Sequence, residues 1–359
     1  MISLTVFALF FIFCLFFSFI MNWLFLKFSK SLGVRNNDDL GQVRWASDAK
    51  PSLGGLSFFL IFLITVAASG FIPGGSEQLF QNQKILGILA ATTLGFIIGL
   101  ADDSYNTNPL VKFIGQLTCA FILIFANVYI EVTGNLALDY LVTILWVVGL
   151  MNSINMLDNM DGITTTTSIV ILIAAVFIAY SSSVPFPAVI LLLIGVLGSL
   201  FGFLFFNWNP AKIYMGDTGS QFLGVFLAAI SILLLWNVRD NVSGVIQIKQ
   251  FVLPLLFFTV PLMDTLTVFM RRLLKKQSPF VGGKDHTTHQ LVFFGFSEKQ
   301  TAWILILLGL TSSGIGIALF TNLIDWTVYA TVGAFVYFFL VFGIMQIVYN
   351  IGKKRRENA

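Results

Sequence analysis

Two adjacent carboxylates, Asp102 and Asp103, follow an apolar run that ends Gly99-Leu100-Ala101, and Lys112 stands shortly after them. Neighbouring carboxylates at a helix C-terminus repel each other and face the unfavourable end of the helix dipole. A divalent cation relieves both effects, and hard oxygen ligands suit Mg²⁺, with Mn²⁺ as its substitute. A second run, Asn152-Ser153-Ile154-Asn155-Met156-Leu157-Asp158-Asn159-Met160-Asp161-Gly162, carries an oxygen ligand at every third position: Asn155, Asp158 and Asp161. Helical geometry would set these along one side, and Gly162 permits a turn. A helix cap with an Asx turn explains one of the three, hardly all. In the third motif, Tyr214-Met215-Gly216-Asp217-Thr218-Gly219-Ser220, Asp217 opens an apolar run where an N-cap would stand. The glycines there let backbone N–H groups approach an anion; taken alone, the motif is explained by capping. The fourth segment holds Arg271, Arg272, Lys275 and Lys276, then Gly282-Gly283-Lys284-Asp285-His286-Thr287-Thr288-His289. No thiol or third histidine is at hand to finish a tetrahedral zinc site. Phosphate binding suits His286, His289, Arg271 and Arg272 better, while Lys275 and Lys276 read as a membrane-surface anchor.

These groups must be held by helices that cross a bilayer. Of the 359 residues, 57% are hydrophobic and 10% charged, with 39 Phe. Soluble domains carry about 25% charged residues, so a soluble enzyme, a disordered chain and a disulfide scaffold are excluded. Cys14 and Cys119 both lie in apolar runs and read as small buried residues. The apolar run from Met1 to Leu26 lacks a positive flank and exceeds a signal-peptide core, so it is expected to stay as a span. With about 20 apolar residues needed per crossing, the chain reads as an all-α polytopic membrane protein with eleven spans. These cover 3–26, 53–72, 84–101, 110–130, 137–152, 165–181, 186–206, 219–236, 250–270, 301–320 and 326–349. The span 137–152 is short and is expected to end at the polar run beginning with Asn152. Pro254 and Pro261 fall on nearly the same face of the ninth span and predict a bend there of more than about 20°.

With eleven crossings, the loops fall into two sets. One set comprises 27–52, 102–112, 152–164, 207–218, 271–300 and the basic tail 350–359; it holds 17 of the 20 Lys and Arg residues. The positive-inside rule places that set in the cytoplasm and the N-terminus outside. All four polar motifs then share the cytoplasmic face of one integral-membrane domain, residues 1–359. Carboxylates for Mg²⁺ beside Lys, Arg and His for phosphate suit phosphoryl transfer from a nucleotide-bound donor, where catalysis is mostly positioning and charge neutralisation. An acceptor met at the bilayer surface is a lipid.

At these residues the chain resembles the polyprenyl-phosphate N-acetylhexosamine-1-phosphate transferases of glycosyltransferase family 4. The resemblance runs from Lys50-Pro51-Ser52-Leu53-Gly54-Gly55 to Ser297. It rests on Ala101-Asp102-Asp103, Asn155 to Gly162, Met215 to Ser220, and His286-Thr287-Thr288-His289. It implies a bacterial inner-membrane enzyme that joins a UDP-N-acetylhexosamine to undecaprenyl phosphate, releasing UMP. It also implies that Asp102, Asp103 and Asp217 are catalytic, with Asp103 and Asp217 at the metal. Asn155 and Asp158, with Asp161, then meet the nucleotide sugar, while Lys112, His286 and His289 hold phosphates. Asn159 departs from the glycine usual in that motif, and Thr287 and Thr288 thin the histidine cluster. The thinning favours the N-acetylglucosamine branch over the phospho-N-acetylmuramoyl-pentapeptide branch. A transporter for an anionic metabolite is the alternative from another class, but it would place ionisable groups near the midplane and often show inverted repeats. No nucleic-acid partner is expected, and a homodimer is left open.

Overall fold

The computed structural model describes residues 4–28, 50–71, 81–181, 187–238, 248–276 and 285–357. Among them no strand forms. The helices in chain order are α1 (Leu4–Phe28), α2 (Gly54–Ser69), α3 (Gln83–Tyr105), α4 (Pro109–Phe125), α5 (Leu136–Leu157), α6 (Ile163–Ser181) and α7 (Pro187–Asn207). They continue with α8 (Gly216–Ser231, prolonged by a π-helical turn Ile232–Trp236), α9 (Lys249–Phe257), α10 (Thr259–Leu274), α11 (Thr287–Phe294), α12 (Glu298–Phe320) and α13 (Val328–Glu357). Eight helices of the described residues are long and apolar enough to cross a membrane, and the bent pair α9–α10 makes a ninth if it is one span. The expected spans at 53–72 and 110–130 correspond to α2 and α4, which are apolar but shorter.

Helix α8 is the axis of the bundle. From Thr218 to Ser231 every residue is buried, which is the behaviour of a helix apolar all round. It packs on α2, α3, α5 and α6, whereas α1 and α13 lie at the periphery with most of their surface open. The helix ends are set by polar caps. Asn82 accepts from the Lys84 and Ile85 N–H groups at the start of α3, and Asn108 accepts from Leu110 N at the start of α4. Pro109 follows at the first position of α4, where its missing N–H costs nothing. Between the two helices Asn106 takes a left-handed conformation (φ 49°), so the chain reverses within a few residues.

Two expectations change. The fifth span does not stop at Asn152: α5 runs on to Leu157, because the polar side chains of its last turns are bonded inside the bundle. Asn152 pairs reciprocally with Gln116 of α4, and Ser153 donates to Pro261 O at 3.0 Å. The ninth span does bend, and much further than a proline kink: α9 and α10 meet at 85°. Pro254 lies inside α9. Pro261 falls in the first turn of α10, where a helix can start without its N–H, so the break at Phe258 restarts the helix instead of kinking it.

Candidate active site

The C-terminal ends of α3 and α5 and the N-terminal ends of α4 and α8 meet in one place, and each contributes polar side chains. Asp102 Oδ2 accepts from Lys112 Nζ at 2.7 Å, while its Oδ1 accepts from Thr107 N and Thr107 Oγ1 at 2.9 and 2.6 Å. Lys112 Nζ also lies 3.4 Å from Asp217 Oδ1. Asn155 of α5 donates to that same Asp217 oxygen, and to Ser220 Oγ at 2.8 Å. Asp102, Lys112, Asp217 and Asn155, far apart in sequence, thus form one continuous chain of contacts.

Asp103 faces elsewhere. Its Oδ1 accepts from Asp217 N at 3.0 Å, and its Oδ2 accepts from Thr218 N and Thr218 Oγ1 at 2.8 and 2.6 Å. A carboxylate from α3 therefore caps α8, satisfying N–H groups that a helix N-terminus leaves open. This corrects two sequence expectations. Asp217 does not cap its own helix, whose N-cap is Met215 without a side-chain bond. Nor are the N–H groups of residues 217 and 218 open to an anion, since Asp103 holds them. The approach needs two glycines. Gly216 has φ +74°, and a Cβ there would stand 2.6 Å from Asp103 Oδ2; a Cβ at Gly99 would meet Asp217 O at 2.2 Å. The segment Pro51–Gly55 braces the same turn through Tyr214 N to Pro51 O, Gly54 N to Tyr214 O and Gly55 N to Met215 O, at 2.9 to 3.1 Å.

The three ligands spaced by three do not share a helix side, because α5 ends before the second of them. Asn155 is on the helix, Asp158 is its C-cap residue, and Asp161 lies in the turn that Gly162 (φ +75°) closes. Asp161 Oδ2 accepts from Ala211 N at 2.8 Å and Asn209 Nδ2 at 3.3 Å, which anchors the α7–α8 connection. Asp158 stands between these anchors. Loss of water contact and then the charges of Asp217, Asp103 and Asp161 push its carboxyl up to about 7.

The basic segment forms a separate layer, of which residues 277–284 lie outside the described residues. His286 Nδ1 is 2.8 Å from Asp264 Oδ2, and Thr287 N donates to Asp264 Oδ1 at 2.7 Å, so Asp264 of α10 orients the histidine at the start of α11. His289 is buried, its ring edge-on to His286 with centroids 5.5 Å apart. Arg272 makes a bidentate pair with Asp285 at 2.7 Å. Burial raises the Asp285 carboxyl, but the bonds and charge of Arg272 outweigh it and hold the group below its ordinary value. Arg271 bonds Gln346 and Asn350 of α13 and stacks on Tyr349, 3.5 Å from the ring centre. The structure thus gives both arginines protein partners on other elements and does not join them to the Asp102–Lys112–Asp217 chain.

Sequence reasoning missed a layer beneath the carboxylates. Gln116 Nε2 donates to Gln221 Oε1 at 3.1 Å and to Asn152 Oδ1 at 3.3 Å, and Asn152 Nδ2 donates back to Gln116 Oε1 at 2.8 Å. Gln116 is one turn along from Lys112, Gln221 one turn along from Asp217, and Asn152 nearly one turn before Asn155. Each of the three helices therefore carries a site residue and an amide behind it. A signal was present: a polar side chain inside a membrane helix marks a neighbour of function.

Asp102, Asp103, Asp161 and Asp217 outnumber Lys112 at this end of the bundle, a surplus of negative charge that a divalent cation would offset. Among the described residues no three His, Cys, Asp or Glu side chains converge into a cage for a metal. Mg²⁺ seldom needs one, since it keeps several waters and binds through one or two carboxylates plus substrate phosphates. Asp217, its side chain 28% exposed, is the more open carboxylate against Asp102 at 11%. The donor set fits Mg²⁺: Asp217 would hold it with waters and substrate phosphates, while Asp103, the other expected ligand, has both oxygens bonded to the first turn of α8.

A polytopic helical bundle thus gathers carboxylates and one lysine at its helix ends, with a separate histidine layer, an arrangement suited to handling phosphates at a membrane. Residues 85–235 match glycosyl transferase family 4, a stretch that contains Asp102, Asp103, Lys112, Asn155, Asp158, Asp161 and Asp217. The chain is 30% identical over 310 residues to a Bacillus subtilis protein named as a probable undecaprenyl-phosphate N-acetylglucosaminyl 1-phosphate transferase, covering 84% of this chain and 80% of the relative. It is 30% identical over 296 residues to the decaprenyl-phosphate N-acetylglucosaminephosphotransferase of Mycobacterium leprae, covering 76% and 74%. A Streptococcus pyogenes phospho-N-acetylmuramoyl-pentapeptide-transferase is 33% identical over 246 residues, covering 63% of this chain and 71% of the relative. The protein belongs to glycosyl transferase family 4, among the polyprenyl-phosphate sugar-1-phosphate transferases.

Proposed function

We propose that the protein transfers N-acetylglucosamine-1-phosphate from UDP-N-acetylglucosamine to undecaprenyl phosphate, releasing UMP and making the first lipid-linked intermediate of an envelope polysaccharide. The observation that carries this reading is the contact chain Asp102–Lys112–Asp217–Asn155 at the joined ends of four helices. Lys112 and Asp102 receive the lipid phosphate. One of its oxygens attacks the phosphorus bearing the sugar, the bond from that phosphorus to the UMP oxygen breaks, and UMP leaves. Asn155 and Asp158 meet the nucleotide sugar, and His286, oriented by Asp264, meets a donor phosphate beside His289. Asp217 would hold Mg²⁺, which when bound would offset the charge of the pyrophosphate.

In the same reading the chain crosses the bacterial inner membrane eleven times with its N-terminus outside. The excess of Lys and Arg on one set of loops supports a cytoplasmic site. An apolar crevice of about 130 Å³ lies between α5 and α10, lined by Trp146, Leu150, Leu262 and Leu266 among others, with Ser153 beside it. Its apolar lining suits a short segment of the prenyl chain, whose tail otherwise stays in lipid. Purified protein given Mg²⁺, undecaprenyl phosphate and UDP-N-acetylglucosamine should release UMP, and EDTA should stop it. Release only with UDP-N-acetylmuramoyl-pentapeptide moves the chain to the other branch, and sugar-nucleotide transport without UMP release overturns the reading.

A further inference from the structure

A hydrogen bond ties the loop between α5 and α6 to the helix α11. Thr288 Oγ1 donates to Asn159 Oδ1 at 2.6 Å, and Asn159 Nδ2 donates back to Met156 O at 2.8 Å, in the last turn of α5. Thr288 is fully buried, at 0% exposure. The bond lies one residue from Asp158 on one strand of the contact and one residue from His289 on the other. On its far flank the same loop is fixed by Asp161 to Ala211 and Asn209. Asp158 is therefore presented from a loop tied at both sides, to α11 by Asn159 and to the α7–α8 connection by Asp161.

We propose that the Asn159–Thr288 bond is a positioning contact for the nucleotide-sugar donor: it makes the Asp158 loop and the histidine helix one body, so a donor bridging them finds both at a fixed separation. The inference rests on the transferase reading of the site. A buried hydroxyl at 2.6 Å from its acceptor restricts both partners before the donor arrives, and such preorganisation lowers the ordering cost of binding. Neither Asn159 nor Thr288 needs to touch the reacting atoms for this.

The test compares T288V, T288S, N159A and the double variant N159A/T288V in the full-length protein in detergent. Binding of UDP-N-acetylglucosamine is measured by calorimetry, and KM for both substrates by UMP release. Valine keeps the buried shape and removes the hydroxyl, so T288V should raise the donor Kd and KM by about tenfold, the worth of one hydrogen bond. KM for undecaprenyl phosphate should stay within about twofold, because a contact for the donor alone has no differential effect on the acceptor. Serine restores the hydroxyl and should restore donor affinity, and the double variant should be no weaker than the worse single variant. If T288V does not fold, N159A, at a half-buried loop position, carries the same readout. A wild-type donor Kd in T288V or N159A, equal rises in both KM values, or additive losses would overturn the coupling alone. Wild-type protein that binds no UDP-N-acetylglucosamine would overturn the N-acetylglucosamine reading and this inference with it.

Discussion

Neutralising Asp103 and neutralising Asp217 should separate stability from activity. Asp103 accepts three hydrogen bonds, at 2.6 to 3.0 Å, from the first turn of α8. A side chain capping a helix N-terminus contributes about 1 kcal/mol through its bonds, and a negative charge there adds roughly 0.3–2 kcal/mol through the dipole. Because α8 is the buried axis of the bundle, the upper part of the range applies, so loss of the carboxylate should cost about 2–3 kcal/mol. Asp103→Asn keeps the shape but turns an amide NH₂ toward N–H donors. Its melting temperature in detergent should fall by several degrees, and turnover should fall with it, since Asp217 rides on the same turn. Asp217→Asn removes one negative charge from a crowded set and keeps an oxygen for Asn155 and Lys112. It should melt at or above the wild-type temperature, yet release UMP at least about a hundredfold more slowly for want of a charged ligand for Mg²⁺. Thermal unfolding followed by tryptophan fluorescence, beside the UMP assay, reads both quantities. Near-wild-type turnover in Asp217→Asn, or a melting temperature below that of Asp103→Asn, refutes the reasoning.

Gln116→Leu leaves Asn152 Oδ1 and Gln221 Oε1 without their donor, although Asn152 Nδ2 keeps its bond to Val148 O; stability should drop by about 1–3 kcal/mol, read as a lower melting temperature. In EDTA the protein should lose thermal stability as the pH rises from about 4 to about 7. The Asp158 carboxyl is held protonated in the fold but ionises near 3.8 in the unfolded chain, so the folded state binds the extra proton across that window. Asp158→Asn should flatten that slope, and a wild-type profile flat or rising over the window argues against the raised carboxyl. Replacing Pro254 and Pro261 by alanine should raise KM for undecaprenyl phosphate with little change for the UDP-sugar, because the break between α9 and α10 borders the crevice; equal effects on both substrates would detach the crevice from the acceptor.

Much of this was legible before any coordinates, for reasons that differ by residue. The apolar runs locate the helices because each must fill a bilayer or a buried core, and the motif aspartates stand out because a carboxylate at the end of such a run is costly. Partnership was less legible. Asp217 reads as a cap in sequence since its position suits one, yet the cap comes from Asp103, 114 residues away. The periodicity of Asn155, Asp158 and Asp161 suggested one helix face because spacing alone does not say where a helix stops. Arg271 and Arg272 carried the charge a phosphate needs, but their partners Tyr349, Gln346 and Asp285 are set by how α10 lies against α13 and α11, a tertiary arrangement no local pattern encodes.

The adjacent pair Asp102-Asp103 shows how one motif can hold two tasks. Successive residues on a helix point about 100° apart, so their side chains do not face the same partner. At the end of α3, wedged between α4 and α8, that angle sends Asp102 to Lys112 and Thr107 of the α4 side and Asp103 to the first turn of α8. The first carboxylate balances the charge of Lys112; the second fixes the turn that carries Asp217. Gly99 and Gly216 let the two helices close to the distance this requires, since a Cβ at either would strike Asp217 O or the Asp103 carboxylate. Two neighbouring acids that read as one pair in sequence therefore take different partners by geometry, Asp102 the lysine of α4 and Asp103 the first turn of α8.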